Sequence, residues 1–253
     1  MEVVAIVNRK GGVGKTATVQ ALGAGLQQKG YKVLFIDLDS QANLTYGTGA
    51  DPEAPTSLHV LTGEATAKEA IQKTPQGDII AASALLATAD AIINETGKEY
   101  RLKEALASVK KAYDYILIDT PASLGILTIN ALTASNSALI PVQADAYSLQ
   151  GIAQINDTVT TVKKYCNKDL KINGIIINRY NGRSTLSKDY REGLAQIAKE
   201  LKTKLYSTPI RECIAVKEAQ ALKTDIFTYA PKSNAASDYA DFVSEFLKEG
   251  GKR

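Results

Sequence analysis

The chain has 253 residues, of which 45% are hydrophobic and 23% are charged, and its formal net charge is only +3. This composition is typical of a globular protein with one full core, and it excludes a low-complexity or strongly basic chain. No apolar run approaches the roughly 18 residues that a transmembrane helix needs, and the opening core strand predicts no signal peptide. One histidine and two cysteines, Cys166 and Cys213, outside any CxxC spacing argue against a transition-metal centre.

Short apolar runs alternate with helical patterns along the chain. A β-branched run from Val3 to Val7 predicts the first strand, and the spacing of apolar residues after Thr16 predicts a helix that stops at Gly30. Further predicted strands are 32–37, 78–83, 113–121, 137–143 and 172–180. Further predicted helices are 101–113, 149–165, 187–202 and 237–249. The segment 46–77 is rich in glycine and proline and is interpreted as loop and short helix.

The alternation of buried strands and helices predicts the fold class. Strands that are apolar on both faces lie in a parallel sheet covered by helices, so we expect an α/β fold with a mostly parallel central sheet flanked by helices on both faces. No repeat or linker divides the sequence, so residues 1–253 are predicted to form a single domain. Ligands bind beyond the carboxyl ends of such strands, which makes the residues after each strand the first candidates for function.

The stretch NRKGGVGKTAT, residues 8–18, joins the first strand to the first helix. Free backbone N–H groups and the helix dipole at such a junction favour an anion. Lys15 would reach the β- and γ-phosphates of a nucleotide, and the Thr16 hydroxyl would lie on Mg²⁺. The usual phosphate-loop pattern places its first glycine at position 9, which is Arg9 here, and the loop carries a second lysine, Lys10. The sequence therefore predicts a triphosphate site with an additional cation beside it.

Two carboxylates that follow strands complete the predicted site. Asp119 ends the strand in ILIDTP, which is the Walker B arrangement that holds Mg²⁺ through water. Asp39 stands two residues beyond the strand-end Asp37, faces the same way and is the better candidate for orienting the attacking water. Thr16, Asp39 and Asp119 are thus the predicted metal site, and Asp39 joins Lys10 and Lys15 as the predicted catalytic residues.

Four further motifs make a family resemblance specific. The loop K-G-G-x-G-K-T at 10–16 is the deviant Walker A motif, and it resembles that of the ParA and MinD-type ATPases. The stretches DLDSQANLT (37–45), DTPASLGILTINAL (119–132), PVQADAYSLQGIAQI (141–155) and INGIIINRYNGRSTLS (172–187) are similar, in the same order, to motifs of the ParA (Soj-like) branch. The departures are Ala17 for a threonine, Ser40 and Ala122 for prolines, and Asp145 for a glutamate. None of them removes a group assigned to chemistry.

The resemblance implies a P-loop NTPase that hydrolyses ATP with Mg²⁺ as a nucleotide-sandwich homodimer. In that family the extra lysine, here Lys10, crosses the dimer interface to the partner's nucleotide, and the asparagine matching Asn178 lies by the adenine. The implied ATP-binding residues are Lys10, Gly11, Gly12, Val13, Gly14, Lys15, Thr16, Ala17, Asn178 and Pro209. The implied work is DNA segregation in the cytoplasm on the nucleoid, where a ParB-type partner stimulates hydrolysis and releases the dimer from DNA.

The resemblance also implies a surface that binds DNA without sequence preference. Arg183 matches a basic residue that the family uses, and the predicted DNA-binding residues are Arg179, Arg183, Lys188 and Lys217. A second family arginine falls at Ala215, so that contact is missing while other basic residues lie nearby. Phosphate contacts add up over several such charges and weaken steeply with salt.

Other functions on this scaffold stay open from the sequence. A MinD-like membrane-associated positioning ATPase would need a lysine-rich amphipathic C-terminal helix. Here the apolar stripe predicts a core-docking helix, followed only by Lys252 and Arg253, so no membrane partner is expected. A ParA-like ATPase that positions a non-DNA cargo is the second alternative. A redox enzyme of the nitrogenase iron-protein type shares the loop, but it needs cysteines after the strand ends, and neither cysteine is so placed.

Overall fold

The computed structural model describes residues 1–250, apart from the side chains at positions 147, 249 and 250. The strands are β1 (Glu2–Ile6), β2 (Val33–Asp37), β3 (Ile71–Thr74), β4 (Gly77–Ile80), β5 (Tyr115–Asp119), β6 (Ser137–Val142) and β7 (Lys171–Ile177). The helices are α1 (Lys15–Gln28), α2 (Asn43–Thr48), α3 (Ser57–Thr62), α4 (Ala67–Ala70), α5 (Ala89–Ile92), α6 (Arg101–Leu106), α7 (Ile126–Ala134), α8 (Ala146–Tyr165), α9 (Thr185–Glu200), α10 (Ala215–Ala221), α11 (Ile226–Tyr229) and α12 (Asn234–Gly250). Three 3₁₀ turns lie at Ala84–Thr88, Lys98–Tyr100 and Lys110–Ala112.

The strands form one sheet in the order β3-β4-β2-β5-β1-β6-β7, and every pair is parallel except β3 with β4. All residues of β2, β5 and β6 are buried, as expected for strands covered by helices on both faces. The predicted α/β class with a mostly parallel sheet is confirmed. In the register of the sheet, Asp37 and Ile6 both pair with Asp119. The strand-end carboxylates of β2 and β5 therefore lie side by side.

The first helix lies unusually close to the sheet. A Cβ atom at Gly23 of α1 would meet the ring of Phe35 in β2 at 2.1 Å, so only glycine permits this approach. On its other side α1 packs against α12, where a Cβ at Gly25 would lie 2.6 Å from Val243. This packing holds the amino end of α1 over the carboxyl edge of the sheet, where the phosphate loop enters the helix.

The C-terminal helix docks on the core, as its apolar stripe predicts. Phe242, Val243 and Phe246 of α12 are at most 2% exposed. The Phe242 ring packs against Tyr206, and the Phe246 ring packs against Tyr115. The apolar face of α12 is therefore buried in the core of the protein. Lys252 and Arg253 lie outside the described residues. Within residues 1–250, no helix combines the length and the apolar character needed to cross a bilayer.

Two expectations for secondary structure were wrong. The segment 46–77 contains a strand, β3, which adds to the edge of the sheet in the antiparallel direction. The sequence of β3, IQKT, is short and half polar, and none of its residues is fully buried at the edge of the sheet. It therefore lacks the apolar run of a central strand. The helix expected over 101–113 ends at Leu106, and a 3₁₀ turn at Lys110–Ala112 precedes β5.

Candidate functional site

The phosphate loop is fixed to the end of β7 by a buried asparagine. Gly14 adopts a left-handed conformation (φ 88°), and a Cβ there would lie 2.7 Å from the amide nitrogen of Asn178, so glycine is required. The Asn178 Nδ2 group donates to the Val13 carbonyl at 2.9 Å and to Thr18 Oγ1 at 3.0 Å. The loop is thereby held at the amino end of α1 before any ligand arrives.

A cleft of ≈ 810 Å³ opens at the carboxyl edge of the sheet, above this loop. The predicted residues that line it are Gly11, Gly12, Gly14, Lys15, Thr16, Ala17, Asp39, Asn178, Arg179 and Lys217. Val13 contributes only its backbone to the loop, and Pro209 lies one residue outside the lining, which continues over Ile210–Cys213. The residues of this second wall, Ile210–Cys213, were not among the predicted site residues, although the resemblance implied the neighbouring Pro209.

Thr16 and Asp119 meet at the floor of the cleft. The Thr16 hydroxyl donates to Asp119 Oδ2 at 2.6 Å, and the second oxygen, Oδ1, is buried without a hydrogen-bond partner among the described residues. Burial raises the pKa of Asp119 well above its ordinary value, and the neighbouring carboxylate of Asp37 adds to the effect. A buried acceptor without a partner is costly, and a hydrated divalent cation removes that cost. These residues therefore fit Mg²⁺.

Lys15 is the cation at the centre of the loop. It is only 7% exposed, and its Nζ atom lies 3.5 Å from the Lys10 carbonyl. Burial lowers the pKa of Lys15, while the carboxylates of Asp119 and Asp39 act in the opposite direction. A lysine held in this way at a helix amino end presents its charge to an anion in the cleft.

The two aspartates after β2 have different roles. Asp37 is fully buried and accepts hydrogen bonds from the backbone N–H and the hydroxyl of Thr45 and from the backbone N–H of Asp39. Burial is the main reason that its pKa is raised, to about 6. Asp39 is partly exposed and lines the cleft, where one of its oxygens accepts the Gln41 N–H. The Asp37 carboxylate is therefore committed to hydrogen bonds inside the protein, whereas the Asp39 carboxylate is partly exposed in the cleft.

Lys10 turns away from the cleft of its own chain. Its Nζ atom lies 2.5 Å from Asp145 Oδ2 and 3.4 Å from Gln143 Oε1, at the junction of β6 and α8. Gln143 also donates to the Gly12 carbonyl at 3.1 Å, which ties this junction to the phosphate loop. The two lysines of the loop thus point to opposite sides, with Lys15 facing the cleft and Lys10 outside its lining.

Asn178 offers a second polar feature to a ligand. It is 3% exposed and lines the cleft, and its Oδ1 atom is buried without a hydrogen-bond partner among the described residues. Its amide group is already committed to the loop, so the side chain presents only an acceptor. The exocyclic amine of an adenine is a donor of the kind that this acceptor could bind.

The structure separates the four predicted DNA-binding residues into two groups. Arg179 and Lys217 line the cleft, and the Arg179 guanidinium pairs with Glu212 at 2.6 Å. Arg183 and Lys188 are exposed at the amino end of α9, on the outer surface. Ala215 is only 8% exposed and begins α10. The cysteines also lie apart, with Cys213 in the cleft wall and Cys166 at the far end of α8.

Comparison with known proteins agrees with this geometry. A family model described as an AAA domain matches residues 1–172. The sporulation initiation inhibitor protein Soj of Bacillus subtilis is 40% identical over 255 residues, which cover 98% of this chain and 99% of Soj. The chromosome partitioning protein ParA of Caulobacter vibrioides is 34% identical, with 98% of this chain and 94% of ParA covered. Cobyrinic acid a,c-diamide synthase of Mycobacterium smegmatis, crystallised with ADP and magnesium, matches 100% of this chain and 96% of its own at 33% identity, with a TM-score of 0.86.

The parallel sheet and the glycine-rich loop above its carboxyl edge define a P-loop nucleoside triphosphatase. Within this class, the second lysine of the loop and the similarity to Soj and ParA identify the family. The chain belongs to the ParA/Soj family of partition ATPases, with the AAA-domain model covering its first two thirds. The predicted family and the predicted ATPase activity are confirmed.

Proposed function

We propose that this ATPase segregates DNA by cycling between a monomer and an ATP-bound sandwich dimer. The dimer binds DNA without sequence preference, and a ParB-type partner stimulates hydrolysis and so releases it. The protein works in the cytoplasm on the nucleoid. The different positions of the two loop lysines are the observation that supports this proposal best, because Lys15 lines the cleft whereas Lys10 lies outside the lining and contacts Asp145.

Each side chain at the cleft has a separate task in hydrolysis. The backbone of the loop and Lys15 hold the β- and γ-phosphates, and Thr16 and Asp119 hold the cofactor Mg²⁺. When bound there, Mg²⁺ would supply neutralisation of the negative charge that develops on the phosphates. Asp39 orients the attacking water, and Lys10 of the partner subunit stabilises the γ-phosphate from the far side. Positioning and charge stabilisation account for most of the rate in phosphoryl transfer.

DNA contact is assigned to the outer surface of α9. Arg183 and Lys188 are exposed, and within residues 1–250 neither forms an ion pair. Phosphate contacts carry no base information, so binding through them is independent of sequence. A dimer presents two such surfaces, which strengthens binding through effective concentration and couples it to the nucleotide state.

The direct test is DNA binding with ATP, with ADP and without nucleotide. We expect binding only with ATP, to unrelated sequences alike, with log affinity falling linearly with log salt concentration. Arg183→Ala should weaken binding about tenfold at moderate salt and lower the salt slope by about one, with ATP affinity unchanged. Anisotropy of two labelled duplexes of different sequence measures both effects. A strong preference for one sequence would point to a site-specific regulator instead.

A second prediction concerns the contact between Lys10 and Asp145. Asp145 also caps α8 by accepting the Ser148 N–H at 3.0 Å, and asparagine caps a helix equally well. Asp145→Asn therefore keeps the cap and removes the charge that holds Lys10 to its own chain. We expect dimerisation at lower ATP concentration, by a factor of about three to ten, if the pair contributes roughly 1 kcal/mol as partly exposed pairs do.

Light scattering during an ATP titration measures this shift. Asp157→Asn, on the same helix, is the matched control because it removes the same charge far from Lys10. An Asp145→Asn protein that dimerises at the wild-type ATP concentration would mean that the ion pair does not restrain Lys10.

A further inference from the structure

The amino-terminal edge of the sheet, opposite the cleft, carries a group of exposed lysines. They lie in the connections that lead from α1, α6 and α8 into β2, β5 and β7, and one of them is the first residue of β7. They are Lys29, Lys32, Lys110, Lys111, Lys168 and Lys171, and we call this set the lysine edge. All six side chains are exposed.

The lysine edge carries a local excess of positive charge. The helix-to-strand connections and first strand residues at this edge contain three acidic residues, Glu2, Asp114 and Asp169. Six lysines against three carboxylates give this edge a formal charge of +3.

Backbone hydrogen bonds join these connections into one row. The Lys32 carbonyl accepts the Asp114 N–H at 2.8 Å, and the Asp114 carbonyl accepts the first N–H of β1 at 2.8 Å. The next residue of β1 accepts the Asn136 N–H at 2.8 Å, and the Asn136 carbonyl accepts the Lys171 N–H at 3.2 Å. With strands about 4.8 Å apart, the row from β2 to β7 spans about 19 Å. Lys32 and Lys171 therefore lie at the two ends of one continuous hydrogen-bonded row of backbone.

Among the described residues, the side-chain charges of the lysine edge are not paired with carboxylates, in contrast to two arginines near the cleft. Within residues 1–250, none of the six lysine Nζ atoms forms a salt bridge, although the Asp114 carboxylate accepts the backbone N–H of Lys32 at 2.8 Å. On the cleft side, Arg179 pairs with Glu212 and Arg211 pairs with Asp238, each at 2.6 Å. A polyanion meets less internal competition at the lysine edge than at those arginines.

Exposed tyrosines stand beside the lysines. Tyr31, in the connection to β2, is 38% exposed and packs edge-on against Tyr115 with ring centroids 5.2 Å apart. Tyr165, at the end of α8, is 66% exposed, and the Lys164 Nζ atom lies 4.8 Å from its ring centroid. Tyrosine hydroxyls and lysines are both common donors to the phosphate oxygens of DNA.

We propose that the lysine edge binds the phosphate backbone of duplex DNA as a second contact, separate from Arg183 and Lys188. The choice of DNA as the polyanion rests on the proposed function. A dimer that closes over its two clefts directs the two lysine edges outward, to opposite ends. Each edge releases counterions when it neutralises phosphates, so its contribution to binding should weaken as salt rises.

The test compares three proteins in the presence of ATP. Lys110→Gln/Lys171→Gln removes two charges from the lysine edge, and Lys68→Gln/Lys98→Gln removes two lysine charges elsewhere as the matched control. DNA affinity is measured by anisotropy over a range of salt concentrations, and circular dichroism checks that each variant is folded. We expect the lysine-edge variant to lose about tenfold or more in affinity near 0.1 M salt and its salt slope to fall by about two, with the control close to wild type.

The other outcomes are separable. If the wild-type protein binds DNA with ATP and the lysine-edge variant has the same affinity and salt slope, the lysine edge is not a DNA contact. The proposed function is unaffected by that result. A wild-type protein that binds no DNA with ATP overturns the proposed function and this DNA contact with it. Binding of the same three proteins to phosphatidylglycerol vesicles is measured by co-sedimentation. If the lysine-edge variant loses vesicle binding while its DNA binding is unchanged, the assignment to DNA is overturned and the lysine edge is a lipid contact.

Discussion

A mixture of Lys10→Ala and Asp39→Ala proteins is expected to hydrolyse ATP, although each variant alone is inactive. In the mixed dimer, the subunit with Lys10→Ala keeps its own Asp39 and receives an intact Lys10 from its partner. One of the two sites is then complete. A cation supplied in trans to a transferring phosphoryl group is worth about 10³–10⁵ in rate in related reactions, so recovery should stand far above the background of either variant.

The physical reason for a trans lysine is the charge of two facing nucleotides. Two triphosphates that approach in a site poor in water repel each other strongly unless cations lie between them. Lys10 lies outside the cleft lining and contacts Asp145 at 2.5 Å, so in the proposed dimer it would change partner. Lys10→Ala alone should bind ATP as a monomer, and it should neither dimerise nor bind DNA tightly.

Light scattering must show that heterodimers form in the mixture before the rates are interpreted. A second mixture, in which Lys15→Ala replaces Lys10→Ala, is the matched control. Lys15 serves the phosphates of its own subunit, so this mixture should stay inactive. Heterodimers of Lys10→Ala and Asp39→Ala without recovered turnover would mean that Lys10 acts on its own nucleotide and that the sandwich model is wrong for this protein.

Asp39→Ala is expected to stop turnover while leaving ATP binding and ATP-dependent dimerisation intact. Asp39 is partly exposed in the cleft and supports only one backbone N–H, that of Gln41. Its loss therefore removes the group that orients water, a contribution of about 10²–10⁴ in rate, at little cost to the fold. Single-turnover hydrolysis and equilibrium ATP binding, measured on the same preparation, separate the two effects.

Asp37→Ala is the control for this substitution, since the two aspartates are only two residues apart. It leaves three buried donors without an acceptor, from Thr45 and the Asp39 backbone, so the free energy of unfolding should fall by about 2–4 kcal/mol. Thermal melts should show Asp39→Ala near wild type and Asp37→Ala clearly lower. An Asp39→Ala protein that hydrolyses ATP at the wild-type rate would show that another group orients the water.

The sequence by itself determined the fold class and the position of the phosphate loop, and it predicted the residues of the phosphate site. Central strands such as β5 are apolar at nearly every position because helices cover both faces, and this pattern is local enough to be visible along the chain. The loop between β1 and α1 is equally local, since its glycines and Lys15 act within a few residues of one another. Thr16, Asp39 and Asp119 could be grouped because the carboxyl ends of parallel strands must meet at one edge.

Only the tertiary structure decided which groups face which side. The second wall of the cleft, Ile210–Cys213, is brought there by the path of the chain after β7, and the sequence predicted only its neighbour Pro209. The pairing of Arg179 with Glu212 joins residues 33 positions apart, which no local rule predicts. The lysine edge is the clearest case, because its lysines come from three separate connections that are individually unremarkable loop charges. They become one surface only because the parallel sheet places the amino ends of its strands side by side.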